Sequence, residues 1–153
     1  MHLQVLGPLK VTGADGRMVR LRRRERVLLS ILLINARQPC AVSMLAKAVW
    51  GDDQPRYPES VLRTYISRIR AALPADFPSS FLITLDGAYL ADPPHGALDL
   101  DQFRQRLAEA SGVLALDDRR EAASPLRQAL ACWKSPLGSD FLPDLPDTPE
   151  VAP

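Results

Sequence analysis

Ser60-Val61-Leu62-Arg63-Thr64-Tyr65-Ile66-Ser67-Arg68-Ile69-Arg70-Ala71-Ala72-Leu73 decides how the rest of the chain is read. On a helical wheel of about 100° per residue, Leu62, Ile66, Ile69 and Leu73 share one face, with Tyr65 at its edge. The opposite face shows Ser60, Thr64, Ser67 and Ala71, flanked by Arg63 and Arg68, with Arg70 nearer the boundary. The pattern predicts a helix that begins at Glu59 or Ser60 and stops before Pro74. A solvated helix face usually mixes both signs of charge, but this stretch carries three arginines and no acid. Small side chains let such a face sit deep in a groove. The guanidinium groups beside them can grip phosphates or pair bidentately with guanine edges. This is the pattern of a helix that reads a nucleic-acid groove.

Upstream, Leu3 and Val5, Leu9 and Val11, and Val19 and Leu21 alternate like short strands, punctuated by Gly7-Pro8 and by a turn at Gly13-Ala14-Asp15-Gly16. They predict a small antiparallel sheet. Arg24 to Asn35 carries Val27, Leu28, Ile31, Leu32 and Ile34, with Leu29 and Leu33 widening the apolar surface, so a central buried helix is expected there. Ala36 to Val42 reads as a loop, and Ser43 as the N-cap of a short helix that closes at Trp50-Gly51. Asp52 to Pro58 has two prolines and no periodicity, and reads as a loop.

Downstream, Phe81-Leu82-Ile83-Thr84-Leu85 and Tyr89-Leu90 flank Asp86-Gly87-Ala88 and predict a β-hairpin. Sheet, three helices and hairpin make an α+β winged helix-turn-helix over residues 1–92, with an enlarged loop between its last two helices. Pro93-Pro94-His95-Gly96 opens a short connector, 93–97. An all-α segment over 98–142 follows. Its first helix carries Leu100, Phe103, Leu107, Ala110 and Leu114, capped by Asp99 or Asp101; its second carries Leu126, Ala129, Leu130 and Trp133. Pro125 would remove a hydrogen bond inside that second helix, so a kink or a restart at Ser124 is expected. Residues 143–153, with Pro143, Pro146, Pro149 and Pro153, read as a proline-rich tail.

The net charge of +1 over 153 residues conceals an asymmetry. Up to Pro74 there are 13 Lys+Arg against 5 Asp+Glu, a net of +8; from Ala75 onward there are 6 against 13, a net of −7. A basic module that invites a polyanion is followed by an acidic one that does not. No apolar run reaches the roughly 18 residues of a membrane span, and the start lacks a signal-peptide pattern, so a cytoplasmic protein is expected. Cys40 and Cys132 are too few for a disulfide framework or a four-ligand zinc site. There is no phosphate-binding G-x-x-x-x-G-K, and His2 and His95 fall at a terminus and in the connector. Neither catalysis, nor a metal, nor a cofactor is expected.

Leu28-Leu29-Ser30-Ile31-Leu32-Leu33, Leu45-Ala46-Lys47-Ala48-Val49-Trp50-Gly51 and the helix at 60–73, with its Tyr65-Ile66-Ser67-Arg68-Ile69-Arg70 centre, resemble the OmpR-type winged-helix domain. Leu98-Asp99-Leu100-Asp101-Gln102-Phe103 and Ala129-Leu130-Ala131-Cys132-Trp133-Lys134 resemble the opening of a bacterial transcriptional activation domain. That pairing resembles the Streptomyces antibiotic regulatory protein family, over roughly residues 3 to 145. The resemblance implies a transcriptional activator whose helix at 60–73 lies in the DNA major groove. It also implies a monomer in solution that binds promoter direct repeats as a tandem dimer, and a tetratricopeptide-like helical domain that engages RNA polymerase and its sigma factor. The chain would then be a natural short form or, as is favoured, a fragment of a longer regulator. In place of the family's Gly-Gly-Tyr hairpin with basic neighbours, this chain has Asp86-Gly87-Ala88-Tyr89 and no cation between Phe77 and Leu90, which leaves insertion of the wing into the minor groove open.

Phosphate contacts are therefore expected elsewhere. Arg20, Arg22, Arg23, Arg24 and Arg26 cluster around the start of the first helix, Lys47 lies on the second, and Ser43 would present its N-terminal amides. The candidate DNA-binding residues are Ser60, Arg63, Thr64, Ser67 and Arg68 in the groove, Arg70 on a phosphate or in an internal pair, and Arg22, Arg23, Arg24, Ser43 and Lys47 on the backbone. The contrasting expectation is a winged helix used for protein contact, or an autoinhibited form whose acidic half covers the basic half. What separates the two is whether the arginine face of helix 60–73 is free.

Overall fold

The computed structural model describes residues 1–115 and 119–132. Strand β1 (His2–Gln4) pairs antiparallel with β2 (Lys10–Thr12), with Leu3 opposite Val11. The third strand expected at Val19–Leu21 is reduced to one bridge between Thr12 and Met18 and the Val19 N–H donating to the Val11 carbonyl at 2.8 Å. Beyond it the chain must turn into the next helix, whose N-cap is Arg22, so no room remains for a longer ladder.

Helix α1 (Arg23–Ile34) buries every residue from Val27 to Leu33 and forms the centre of the core, as its all-round apolar sequence predicts. Its first turn is closed by Glu25, whose Oε2 accepts the Arg22 N–H at 2.9 Å. Helix α2 (Val42–Trp50) ends at Gly51, whose φ of 61° supplies the left-handed turn a side chain would strain. Helix α3 (Pro58–Ala72) buries Leu62, Ile66 and Ile69, and Trp50 and Tyr65 meet across α2 and α3 with ring centroids 5.9 Å apart. It starts one to two residues earlier than expected, because Pro58 sits in the first turn, where a missing N–H costs nothing.

The hairpin forms as expected. Strands β4 (Leu82–Leu85) and β5 (Ala88–Ala91) are joined at Asp86-Gly87, with Gly87 at a φ of 65°. A further strand, β3 (Cys40–Ala41), lies in the stretch read as a loop; it pairs with β5 through Cys40–Tyr89 and Ala41–Ala88, giving the order β3-β5-β4. Because β3 runs directly into α2, the N-cap of α2 is Ala41 and not Ser43, which lies inside the first turn.

The stretch expected as a connector is packed. Pro93 and Ala97 are buried, Leu3 donates its N–H to the Ala97 carbonyl at 2.8 Å, and Leu3 bridges Leu98 in parallel. Ala97, Leu98 and Leu100 belong to the same core as α1. Helix α4 (Asp99–Ala115) then pairs with α5 (Arg119–Cys132). The restart expected at Ser124 does not occur: α5 runs through it, with Pro125 inside the helix. Trp133 and the tail at 143–153 lie outside the described residues.

Candidate nucleic-acid interface

Burying Leu62, Ile66 and Ile69 against α1 and α2 turns the other side of α3 outward, and Ser60, Arg63, Thr64, Ser67 and Arg68 are all exposed. The Thr64 hydroxyl donates to the Ser60 carbonyl at 3.0 Å, which folds it onto the helix and leaves the centre of the face low. Arg63 and Arg68 border that shallow strip. Helices α4 and α5 lie elsewhere: Asp101 pairs with Arg37 at 2.8 Å, and Arg104 Nη2 donates to the Ile34 carbonyl, at the C-terminal end of α1. The arginine face of α3 is thus uncovered by any described residue of α4 or α5.

Arg68 and Arg70 are held differently. Arg68 Nη1 lies 3.8 Å from Glu25 Oε1, with the Arg68 side chain about half exposed and the Glu25 side chain 6% exposed. Since Glu25 also closes the first turn of α1, it joins the Arg22–Arg24 cluster to the C-terminal half of α3. Arg70 turns inward. Its Nη2 donates to the Leu82 carbonyl at 2.7 Å and to the Thr84 hydroxyl at 2.9 Å, so it braces the hairpin, and of the two roles expected for it the internal one is formed. Arg22, Arg23 and Arg24 are exposed on the α1 side, and Ser43 and Lys47 are exposed on α2.

Two neighbours of this face went unremarked in the sequence because they lie in an aperiodic loop. Tyr57 is 65% exposed, and the Arg56 guanidinium stands 5.4 Å from its ring centroid. Together with Pro58, Glu59, Ser60 and Arg63 they line an open depression of about 430 Å³ at the start of α3. A cation next to an aromatic, just before a groove-type helix, was the available signal.

Among the described residues there is no cluster of His, Cys, Asp and Glu that could hold a metal ion, and no helix long and apolar enough to cross a membrane. Burial pushes the Cys40 thiol above its usual range. The same cause raises Asp99, opposed by N–H donors from Val5, Leu6 and Leu100 and by the charge of His2.

A three-helix core, a β-hairpin after the third helix and a cationic outer face on that helix make an OmpR-type winged-helix domain. Residues 16–88 match the family described as transcriptional regulatory protein, C terminal. The chain is a homologue of the Streptomyces antibiotic regulatory proteins. It is 29% identical over 133 residues to the regulatory protein AfsR of Streptomyces griseus, covering 87% of this chain and 13% of AfsR. To the regulatory protein DnrI of Streptomyces peucetius it is 26% identical over 141 residues, covering 88% of this chain and 52% of DnrI. Among solved structures, EmbR of Mycobacterium tuberculosis, in complex with a low affinity phosphopeptide, superposes with a TM-score of 0.78 at 28% identity, over 88% of this chain and 36% of that one. The chain therefore spans about half of DnrI and a much smaller part of AfsR.

Proposed function

We propose that this chain binds double-stranded DNA sequence-specifically and acts as a transcriptional activator. The observation that carries the reading is the exposed outer face of α3, cationic and free of acid beyond its first turn, which no described residue of α4 or α5 covers. In this reading α3 enters the major groove; Ser60, Arg63, Thr64, Ser67 and Arg68 meet base edges or groove walls; Arg22, Arg23, Arg24, Ser43 and Lys47 meet phosphates. Two protomers bind direct repeats in tandem, since one protomer of this size makes few phosphate contacts. The helical segment that begins at Leu98 opens a tetratricopeptide-like activation domain facing RNA polymerase and its sigma factor. Residues 1–92 form the DNA-binding unit and 98–142 the start of the activating one.

The test is selection of genomic fragments by the full chain at about 50 and 200 mM salt. Spaced direct repeats should be enriched, and affinity should fall steeply between the two salts; six to ten phosphate contacts in a tandem pair correspond to a fall of about 10³ to 10⁵. Arg63→Ala and Arg68→Ala should abolish the preference for the enriched duplex. Failure to enrich any sequence at the lower salt, or full selectivity in both variants, sinks the reading and favours a winged helix used for protein contact.

A further inference from the structure

The depression at the start of α3 holds two groups that the groove-reading role leaves unused. Arg56 has no ion pair among the described residues, and its guanidinium stands over the face of Tyr57. Tyr57 is the most exposed large apolar side chain of the described residues, at 65%. A tyrosine offers an apolar ring with a polar tip, a combination enriched at contact surfaces. The pair is not isolated: Ser60 and Arg63, both on the outer face of α3, line the same depression. The surface proposed to enter the groove therefore continues without a break onto Arg56 and Tyr57.

Their chemistry matches the rim of a DNA groove. A guanidinium that has no carboxylate partner suits a phosphate oxygen, and an exposed phenol ring gives a flat apolar face for a deoxyribose, with its O–H at the edge for a second phosphate oxygen. The cation–π contact keeps the guanidinium over the ring, so both groups are arranged before the DNA arrives. Glu59, also in the depression, lies in the first turn of α3, where a carboxylate is stabilised by the helix dipole. We propose that Arg56 and Tyr57 form a seat for the sugar-phosphate backbone at the N-terminal end of α3, which extends the DNA footprint but reads no base. This inference rests on the DNA-binding reading above.

The experiment measures binding of the full chain to the enriched duplex and to a scrambled duplex by fluorescence anisotropy across a salt series. Arg56→Ala should weaken both duplexes by the same factor, about five- to tenfold, and flatten the slope of log affinity against log salt by about one. Arg56→Lys, which keeps the charge, should retain the slope. Tyr57→Ala should weaken both duplexes at unchanged slope, and Arg63→Ala should lose mainly the enriched one. If Arg56→Ala and Tyr57→Ala bind both duplexes like the unaltered chain while Arg63→Ala loses selectivity, the seat is wrong and the groove reading stands. Loss of transcription without loss of DNA affinity would also overturn it, and would assign the surface to a protein partner. If the unaltered chain binds neither duplex, the DNA-binding reading itself fails and this inference with it.

Discussion

The carboxylate of Asp99, the first residue of α4, accepts the backbone N–H of Val5, 94 residues earlier, at 2.9 Å. Its second oxygen accepts the N–H of Leu6 at 3.0 Å. These amides follow β1 and have no strand partner, so a buried side chain from the next module completes them. Beside it Leu3 bridges Leu98, and Arg37, at a left-handed φ of 66°, pairs with Asp101 and donates to the Pro93 carbonyl. The start of the helical segment thus completes the N-terminal sheet, and a rotation of α4 against that sheet would unpair buried groups.

Asp99→Ala should therefore destabilise the whole fold and not α4 alone. Each orphaned amide costs roughly 1–3 kcal/mol. Asp99→Asn keeps one acceptor oxygen but sets an NH₂ group against the other amide, so it should fall between the two. Urea unfolding followed by circular dichroism checks the order. A stability of Asp99→Ala indistinguishable from the unaltered chain would mean that water replaces the carboxylate at no cost.

The pH dependence should run opposite to that of an ordinary paired carboxylate. Burial raises the Asp99 carboxyl above its usual 3.8, so the folded chain binds this proton more tightly than the unfolded chain does. The stability contributed by Asp99 is then largest below pH 3.8 and declines as pH rises through the higher folded value. The difference in unfolding free energy between the unaltered chain and Asp99→Ala should follow that course and level off toward neutrality. A difference that grows with pH would show that the amides of Val5 and Leu6 outweigh burial.

Sequence periodicity exposed what local repetition encodes. Leu62, Ile66 and Ile69 announce α3 because three turns repeat one burial pattern, and Asp86-Gly87 between two alternating runs announces the hairpin. Strand β3 carries two residues, too few to alternate, and exists only because Tyr89 and Ala88 pair with it from far along the chain. Asp99 looks like an N-cap in the sequence, but α4 already begins at it and its two carboxylate oxygens go to Val5 and Leu6, which depends on how the chain returns to β1. Arg70 has the same limit, since one helical position cannot reveal a partner on β4. The outer face of α3 was legible for the complementary reason: its residues are defined by what the core excludes.

Arg70→Ala should loosen the hairpin while leaving the helices in place. The variant loses a charged donor to the Leu82 carbonyl and the Thr84 hydroxyl. Charge-assisted bonds contribute about 1.5–3 kcal/mol, reduced here to roughly 1 kcal/mol because Arg70 is exposed to solvent. Amide hydrogen exchange should quicken at Ile83, Leu85 and Leu90 and stay unchanged at Leu28 to Leu32. Uniform quickening across both regions would place Arg70 in the global fold instead of the hairpin.

Glu25→Gln tests whether a buried carboxylate tunes the reading helix. Glutamine keeps an oxygen for the Arg22 N–H and so retains most of the α1 start; Glu25→Ala loses it, and should cost about 1 kcal/mol more. What both variants lose is the negative charge 3.8 Å from Arg68 Nη1. With Arg68 about half exposed, solvent screens that attraction, so the effect on stability is small. The effect on DNA should be larger. If α3 and the start of α1 meet DNA as proposed, removing a carboxylate beside Arg68 strengthens binding to any duplex, while Arg68, no longer drawn toward α1, loses part of its orientation. Glu25→Gln should therefore bind a scrambled duplex more tightly and show a smaller ratio between enriched and scrambled affinities. An unchanged ratio in a stably folded Glu25→Gln would confine Glu25 to closing the first turn of α1.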